Sequence, residues 1–300
     1  MDLEILPGKY VVAVSGGVDS MVLLDMLAHT PGLELVVAHF DHGIRTDSAQ
    51  DRALVGAAAA RYNLPYVYEE GNLGRGASEQ AARNARYAFL HRARTAQQAQ
   101  AIIVAHHQDD VLETMILNML RGTNRKGLSS LQSHGELLRP LLHLTKADMR
   151  NYAKTHAIEW HEDSTNTDTR YLRNHLRAYS MPRLTTEQRA ALLAINQRAA
   201  VDNHEIDLLL GDVLVVLGGP DQLNRQQFIQ LPHAVSREVM ATWLRAHSVQ
   251  DITARQIERL VTAAKTAQPG TVHDIDKRTI MNISRKFLQI TSRKARNSDI

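Results

Sequence analysis

The 300-residue chain contains no cysteine. Structural disulfides, thiolate nucleophiles and thiolate-ligated metals or clusters are therefore excluded, and the composition fits a reducing, cytoplasmic setting. No run of about 18 apolar residues occurs, so no membrane span is expected. The opening MDLEILPGKY is acidic and lacks an apolar core, so it does not read as a secretory signal. Internal repeats and low-complexity tracts are missing too. Charge of one sign is not dominant: the net charge is only +3. That balance permits nucleic acid as a partner without demanding it. The excess is uneven, with 16 Lys+Arg against 12 Asp+Glu in residues 181–300 and 19 against 20 before them.

What is present is ordinary globular material: 44% of residues are hydrophobic and 22% charged, at a length that suits two domains. Short Val- and Ile-rich runs at 10–14, 33–40, 65–69 and 101–106 alternate with alanine-rich helical stretches at about 20–30, 47–62, 77–99 and 108–121. Near-continuous apolar strands between helices predict an α/β fold, a doubly wound parallel sheet covered on both faces. LLRPLL at 137–142 could add a fifth strand, and Thr145 to Asp148 reads as a capping box opening a helix. After Met181-Pro182 the pattern changes. A helix opens at Thr185 and runs to about Leu210, GDVLVVLGGP reads as a strand and turn, and Thr253 caps a later helix. PGTVHDI with TIMNISRKFLQI reads as a hairpin. The expected division is residues 1–184, a linking helix over 185–212, and a smaller α+β domain over 213–300.

One stretch carries the chemistry. VVAVSGGVDS ends an apolar strand and begins a helix. In a doubly wound sheet, ligands sit at that edge. Glycines let backbone N–H groups approach an anion, the helix N-terminus adds partial positive charge, and Ser15 and Ser20 offer hydroxyls. Ser15, Gly16, Gly17, Val18, Asp19 and Ser20 therefore form a candidate phosphate cradle. It is neither a GxxxxGK[ST] loop nor a GxGxxG turn. Asp19 would repel phosphate unless a cation such as Mg²⁺ bridges the two, so Asp19 is the candidate metal ligand. The alternative is a tight turn with Asp19 capping the helix.

A second cluster, His106-His107-Gln108-Asp109-Asp110 with Glu113, follows the fourth strand. Helical spacing lets its acids converge on an ammonium group or a metal; equally, they could cap a helix. Arg83 and Arg86 share a helical face and could neutralise nucleotide or RNA phosphates, or form a solvated face with Glu79. Arg170, Arg173 and Arg177 make a basic stripe with Tyr171 and His175 interleaved, suited to phosphate or to plain solvent. His39, Asp41 and His42 end the second strand, as a base-side wall or a polar loop. Arg285, Lys286, Arg293, Lys294 and Arg296 form a basic run that could reach RNA or remain a solvated tail.

SGGVDS after a first strand resembles the signature of the N-type ATP pyrophosphatases (the PP-loop superfamily). HFDHGIR (39–45), ARNARYAFL (82–90), AHHQDDVLETMILNMLRG (105–122), KGLSSL (126–131), RPLL (139–142) and WHEDSTNTDTRYLRNHLR (160–177) narrow the resemblance to the tRNA(Ile)-lysidine synthetase family, over roughly residues 10–177. The resemblance implies ATP and Mg²⁺ on the cradle, with Asp19 among the catalytic residues. It implies a tRNA(Ile) with a CAU anticodon and L-lysine as substrates. Asp110 and Glu113 would hold the lysine. The wobble cytidine would be adenylated with loss of pyrophosphate, and lysine would then displace AMP. Arg83, Arg86, Arg173 and Arg177 become candidate substrate contacts, and the small domain a candidate tRNA-binding module. Asn124 stands where the family pattern leads one to expect glycine. Longer members carry a further C-terminal domain, so recognition here would rest on one accessory domain. Oligomeric state is open, with a homodimer among the options.

Two other readings stay in view. One is an adenylating amide ligase of the NAD or GMP synthetase kind, against which the basic C-terminal part counts. The other is a non-catalytic nucleotide- or RNA-binding module. A tRNA sulfur transferase of the same superfamily is disfavoured by the absence of cysteine.

Overall fold

Strands β1 (Gly8–Ala13) and β2 (Leu33–Asp41) are apolar throughout their middles because both faces are covered. Successive side chains point to opposite faces. Val12 and Val37 enter a cluster with Val22, Leu23, Leu27, Val55 and Met149, while Val11 and Val36 enter another with Phe89, Leu90 and Ala93. All seven of the valine, leucine and methionine side chains named from the first cluster are essentially inaccessible to solvent. In this computed structural model the described residues are 3–41, 43, 48–71, 79–123, 125–162, 172–249 and 252–293. They divide into two compact units, Met1–Ala200 and Val201–Ile300.

In the first unit, β3 (Tyr66–Glu70), β4 (Ala101–Ile103) and β5 (Leu137–Leu138) complete a five-stranded parallel sheet in the order β3-β2-β1-β4-β5. Helices α1 (Val18–Ala28), α2 (Ser48–Arg61) and α6 (Lys146–Thr155) supply the first cluster, and α3 (Glu79–Ala96) the second. Between them in the chain lie α4 (Gln108–Leu120) and α5 (Arg125–Leu128). The chain winds outward from β1 through β2 to β3, then returns to place β4 on the other side of β1, with Val12 opposite Ile103. The strand order reverses there, and the crevice it leaves at the carboxyl edge is where ligands bind in such sheets. The expected four strands and their helices are present; the fifth is only two residues long.

Helix α1 is buried on nearly every side, including Asp25. That carboxylate is satisfied by the Tyr62 hydroxyl at 2.6 Å and the Tyr152 hydroxyl at 2.8 Å, which offsets the cost of burying it. The expected box at α6 is formed: the Thr145 N–H donates to Asp148 at 2.8 Å, and the Asp148 N–H to the Thr145 hydroxyl at 3.2 Å. After α7 (Leu172–His175) the chain makes a π-helical turn over Leu176–Ser180 and a 3₁₀ turn over Met181–Arg183.

Helix α8 (Thr186–Val216) runs farther than expected. GDVLVVLGGP is not a strand: its first six residues are the last turns of this helix. Leu210, Leu214 and Leu217 recur at helical spacing and are buried, while Val215 and Val216 are 71% and 73% exposed, so the valine-rich composition misleads and the period decides. Gly218 ends it at φ +119°, where a Cβ would lie 2.9 Å from the Gln222 carbonyl. The second unit then builds an antiparallel sheet from β6 (Gln222–Asn224), β7 (Thr271–Asp274), β8 (Thr279–Ile283) and β9 (Phe287–Ser292), in the order β6-β9-β8-β7. The expected hairpin is thus three strands, joined by β6. Helices α9 (Arg225–Gln230), α10 (His233–Ala246) and α11 (Ala254–Thr266) complete it, around Phe228, Met240, Trp243, Leu260 and Leu288. Arg225 is buried and donates to the Ala264, Ala267 and Ser284 carbonyls, so it is structural. Thr253 caps α11 in a box with Gln256, as expected.

Candidate active site

The cradle follows β1 directly. Gly16 has φ +92°, in the left-handed region that favours glycine. The Ser20 hydroxyl accepts from the Ser15 N–H at 3.1 Å and donates to the Gly17 carbonyl at 2.9 Å, drawing the loop closed. Gly17 occupies the N-cap of α1, and no side chain caps that helix. Its N-terminal dipole therefore faces the loop with no side-chain cap upon it. Asp19 does not cap. Its Oδ2 meets the Lys146 ammonium at 2.6 Å, and its Oδ1 is buried without a hydrogen-bond partner.

The chain returns to the cradle at two further places. The His161 N–H donates to the Gly16 carbonyl at 3.0 Å, and its ring Nδ1 lies 2.7 Å from Asp51 of α2. From β2, buried His39 places Nδ1 2.9 Å from the Val14 carbonyl. Burial pushes its basicity down, so the neutral ring braces the end of β1 as a donor. Asp41 accepts from the Gly43 N–H at 2.8 Å, which is loop geometry.

The HHQDD cluster lies across the crevice, at the end of β4. His107 is the N-cap of α4, and its N–H donates to Asp110 Oδ2 at 3.0 Å. Its ring stands between carboxylates, 3.7 Å from Asp19 and 3.5 Å from Asp110. Asp109 turns elsewhere. It accepts from the Lys146 N–H at 2.8 Å and the Arg189 guanidinium at 2.6 Å, tying α4 to the starts of α6 and α8. Burial would raise the Asp109 carboxyl, but those two donors outweigh it and hold it below the usual range.

Asp110 and Glu113 do share one face. Arg177 bridges them, donating from Nε to Glu113 and lying 3.2 Å from Asp110 through Nη2; Arg173 Nε is 2.5 Å from Glu113. The Glu113 side chain is only 4% exposed, against 32% and 43% for the two arginines. Burial pushes the Glu113 carboxyl up, and the guanidiniums pull it back toward ionisation. So Arg173 and Arg177, read from the sequence as a stripe for phosphate or solvent, meet the acid pair. Arg170, Tyr171, His42, Asn124, Lys294 and Arg296 lie outside the described residues.

Arg83 and Arg86 belong to a third group. Both guanidiniums stack on the Tyr87 ring, at 5.0 and 5.4 Å. Arg139, in RPLL, is buried and donates to His106 at 3.2 Å. Burial, then the Arg139, Arg86 and Arg83 charges, push His106 down to about 3, so it is neutral and accepts. Guanidiniums dominate this patch. Nothing local in the sequence marks Lys146, His161, Arg139 or Arg189 as a site residue. Lys146 and Arg139 sit inside segments that read as a cap and a strand; only long-range packing shows where they point.

The sheet order, the glycine-built cradle at the switch point and the acid cluster across from it define a nucleotide-binding α/β domain of the PP-loop class. The chain belongs to that family: a family profile of the ATP-binding class described as a PP-loop domain matches residues 5–184. Among curated relatives, the tRNA(Ile)-lysidine synthase of Solibacter usitatus is 32% identical over 269 residues, 85% of this chain and 61% of that protein. The one of Thermus thermophilus is 40% identical over 205 residues, 66% and 40% of the two chains. The chain thus spans about three-fifths or less of these relatives' length. A solved structure of the U34-tRNA thiolase NcsA of Methanococcus maripaludis, with its [4Fe-4S] cluster, has a similar fold: TM-score 0.55, 16% identity, 65% of this chain and 72% of that one. This chain has no cysteine with which to ligate such a cluster. No helix among the described residues is long and apolar enough to cross a membrane.

Proposed function

We propose that this chain carries the catalytic domain of a tRNA(Ile)-lysidine synthase and joins L-lysine to the wobble cytidine of a tRNA(Ile) with a CAU anticodon, at the expense of ATP. The observation that carries the reading is the paired Asp110 and Glu113 beside the cradle, across one switch-point crevice. The curated relatives' name points the same way.

ATP phosphates would lie on the Ser15–Ser20 loop, against the N-terminus of α1. The cytidine carbonyl oxygen would attack the α-phosphorus and pyrophosphate would leave. The lysine amine would then attack the adenylated ring carbon and expel AMP. The Asp19 carboxylate suits Mg²⁺: one oxygen is buried without a partner, and Mg²⁺ needs few protein ligands when phosphates supply the rest. Among the described residues no group of three or more His, Asp or Glu could cage a metal alone, which fits an ion brought in with the nucleotide. Bound there, Mg²⁺ would neutralise phosphate charge. Lysine's ammonium would take the place of a guanidinium on Asp110 and Glu113. Arg83, Arg86 and Arg139 would face the RNA or nucleotide phosphates, and the 201–300 unit would add tRNA contacts.

Labelled lysine incubated with unmodified tRNA(Ile) tests this reading. Incorporation should need both ATP and the CAU anticodon. A chain that releases pyrophosphate without tRNA would instead be a small-molecule ligase, and one that binds ATP without releasing pyrophosphate a binding module.

A further inference from the structure

The cradle has a carboxylate but no cation of its own, since no lysine follows SGGVDS. Breaking the bond between the α-phosphorus and its bridging oxygen loads negative charge on the departing pyrophosphate, and phosphoryl-transfer sites meet such charge with cations already in place. Among the described residues, Lys146 brings an ammonium to the cradle mouth. The Lys146 ammonium lies 2.6 Å from Asp19 Oδ2, although the two residues are 127 apart in the chain.

The way Lys146 is held separates its backbone from its charge. It is the first residue of α6. Its N–H is fixed on Asp109 at 2.8 Å, and the residue before it is locked in the Thr145–Asp148 box. The ammonium sits at the end of a flexible four-carbon stem and its side chain is 37% exposed. It can therefore cross a few ångströms from carboxylate to phosphate while the helix stays still. Asp19, relieved of the ammonium, keeps both oxygens for a divalent ion.

We propose that Lys146 is a catalytic residue of the adenylation step: its ammonium moves from Asp19 to the β- and γ-phosphate oxygens of ATP and neutralises the departing pyrophosphate. This rests on the adenylation chemistry proposed above. The step balances without a proton from lysine. The attacking oxygen forms its bond to the α-phosphorus, the bridging P–O bond breaks, and its electron pair leaves on pyrophosphate, which the ammonium holds as an ion pair.

Calorimetry with inorganic pyrophosphate, ATP and AMP, each with saturating Mg²⁺, tests the proposal on wild type, Lys146→Met and Lys146→Arg. Lys146→Met should bind pyrophosphate and ATP about 10- to 100-fold more weakly, as expected for losing a charge-assisted contact, and AMP as wild type does. Lys146→Arg should recover part of the loss. Should Lys146→Met fail to fold, Lys146→Gln carries the same comparison. Pyrophosphate bound equally by wild type and the neutral variant would overturn the proposal, leaving Lys146 as a counter-ion of Asp19. A parallel loss of AMP affinity would also overturn it. Wild type that binds neither ATP nor pyrophosphate would sink the adenylation reading along with it.

Discussion

Replacing Glu113 by glutamine removes one charge and almost no volume from the base of the acid pair. In a fully buried site, deleting one member of an ion pair costs about 3–5 kcal/mol, because the remaining charge is left without a partner. Here the remaining charges are Arg173 and Arg177, whose side chains are 32% and 43% exposed and can rehydrate. The stability loss should therefore shrink to about 1–2 kcal/mol, a melting shift of roughly 2–8 °C for a unit of this size. The functional loss should be larger. A lysine ammonium deprived of its buried partner loses about 2–5 kcal/mol of binding, or roughly 30- to several-thousand-fold. The lower end is favoured because lysine must displace a guanidinium even in the wild type. Chemistry sharpens the test. A free ε-amine has a pKa of about 10.4, so only about one part in a thousand or less is neutral at pH 7, and an acid pair raises that value further. If the pair holds the ε-amine, one carboxylate must also accept its proton. Glu113→Gln and Asp110→Asn should thus still release pyrophosphate with tRNA and ATP, yet fail to join labelled lysine. High lysine should rescue a binding defect and leave a lost base unrescued. Loss of pyrophosphate release in both variants would refute the assignment and move the pair to the nucleotide site.

Asp19→Asn should keep its melting temperature within a few degrees while pyrophosphate release collapses; unchanged release at ordinary Mg²⁺ would remove the ion from Asp19. His106 is held neutral down to about 3 while an unfolded imidazole titrates near 6.5. Its contribution is therefore full above pH 6.5 and declines as pH falls from 6.5 toward 3, by at most about 1.4 kcal/mol per pH unit. Denaturant titrations of wild type and His106→Gln should converge along that window, and parallel curves would contradict the assignment. Asp109 is depressed below its ordinary 3.8, so its stabilisation is present above that value and is lost as pH falls further; Asp109→Asn should flatten the acid limb. For tRNA, filter binding should show affinity falling with salt, by about 0.7 to 0.9 in the log–log slope per neutralised phosphate. Exchanging exposed Arg285 and Lys286 for glutamine should make that slope shallower if the second unit contacts the backbone.

The sheet was legible because its information is local. Buried parallel strands must be apolar along their length, and VVAV, LVVA and AIIV have little else they could be. The cradle was legible for the same reason: glycines, two hydroxyls and a strand–helix junction sit within six residues. What escaped the sequence is what depends on partners far along the chain. The 211–216 valines look like a strand until Leu210, Leu214 and Leu217 are placed on one helical face. Arg173 and Arg177 look like a stripe for phosphate or solvent until α7 and the π-helical turn after it bring them against Glu113. Lys146 looks like the start of a helix, which it is, and only the packing of α6 beside α1 brings its ammonium to Asp19. Asp110 both completes the capping box with His107 and belongs to the acid pair, so neither reading of that residue alone is complete.

The contacts that finish the cradle also set when it can exist. Asp19 leaves the ribosome early, but Lys146 follows 127 residues later, and His161, which reaches back 110 residues to Asp51, later still. At about 5–20 residues per second, synthesis alone separates Asp19 from Lys146 by about 6–25 s. During that interval the nascent chain carries SGGVDS with neither the ammonium on its carboxylate nor the brace on its Gly16 carbonyl. A polypeptide cut short before α6 would display the signature and lack the assembled site, so competence arrives in one late event once the long-range closures are made.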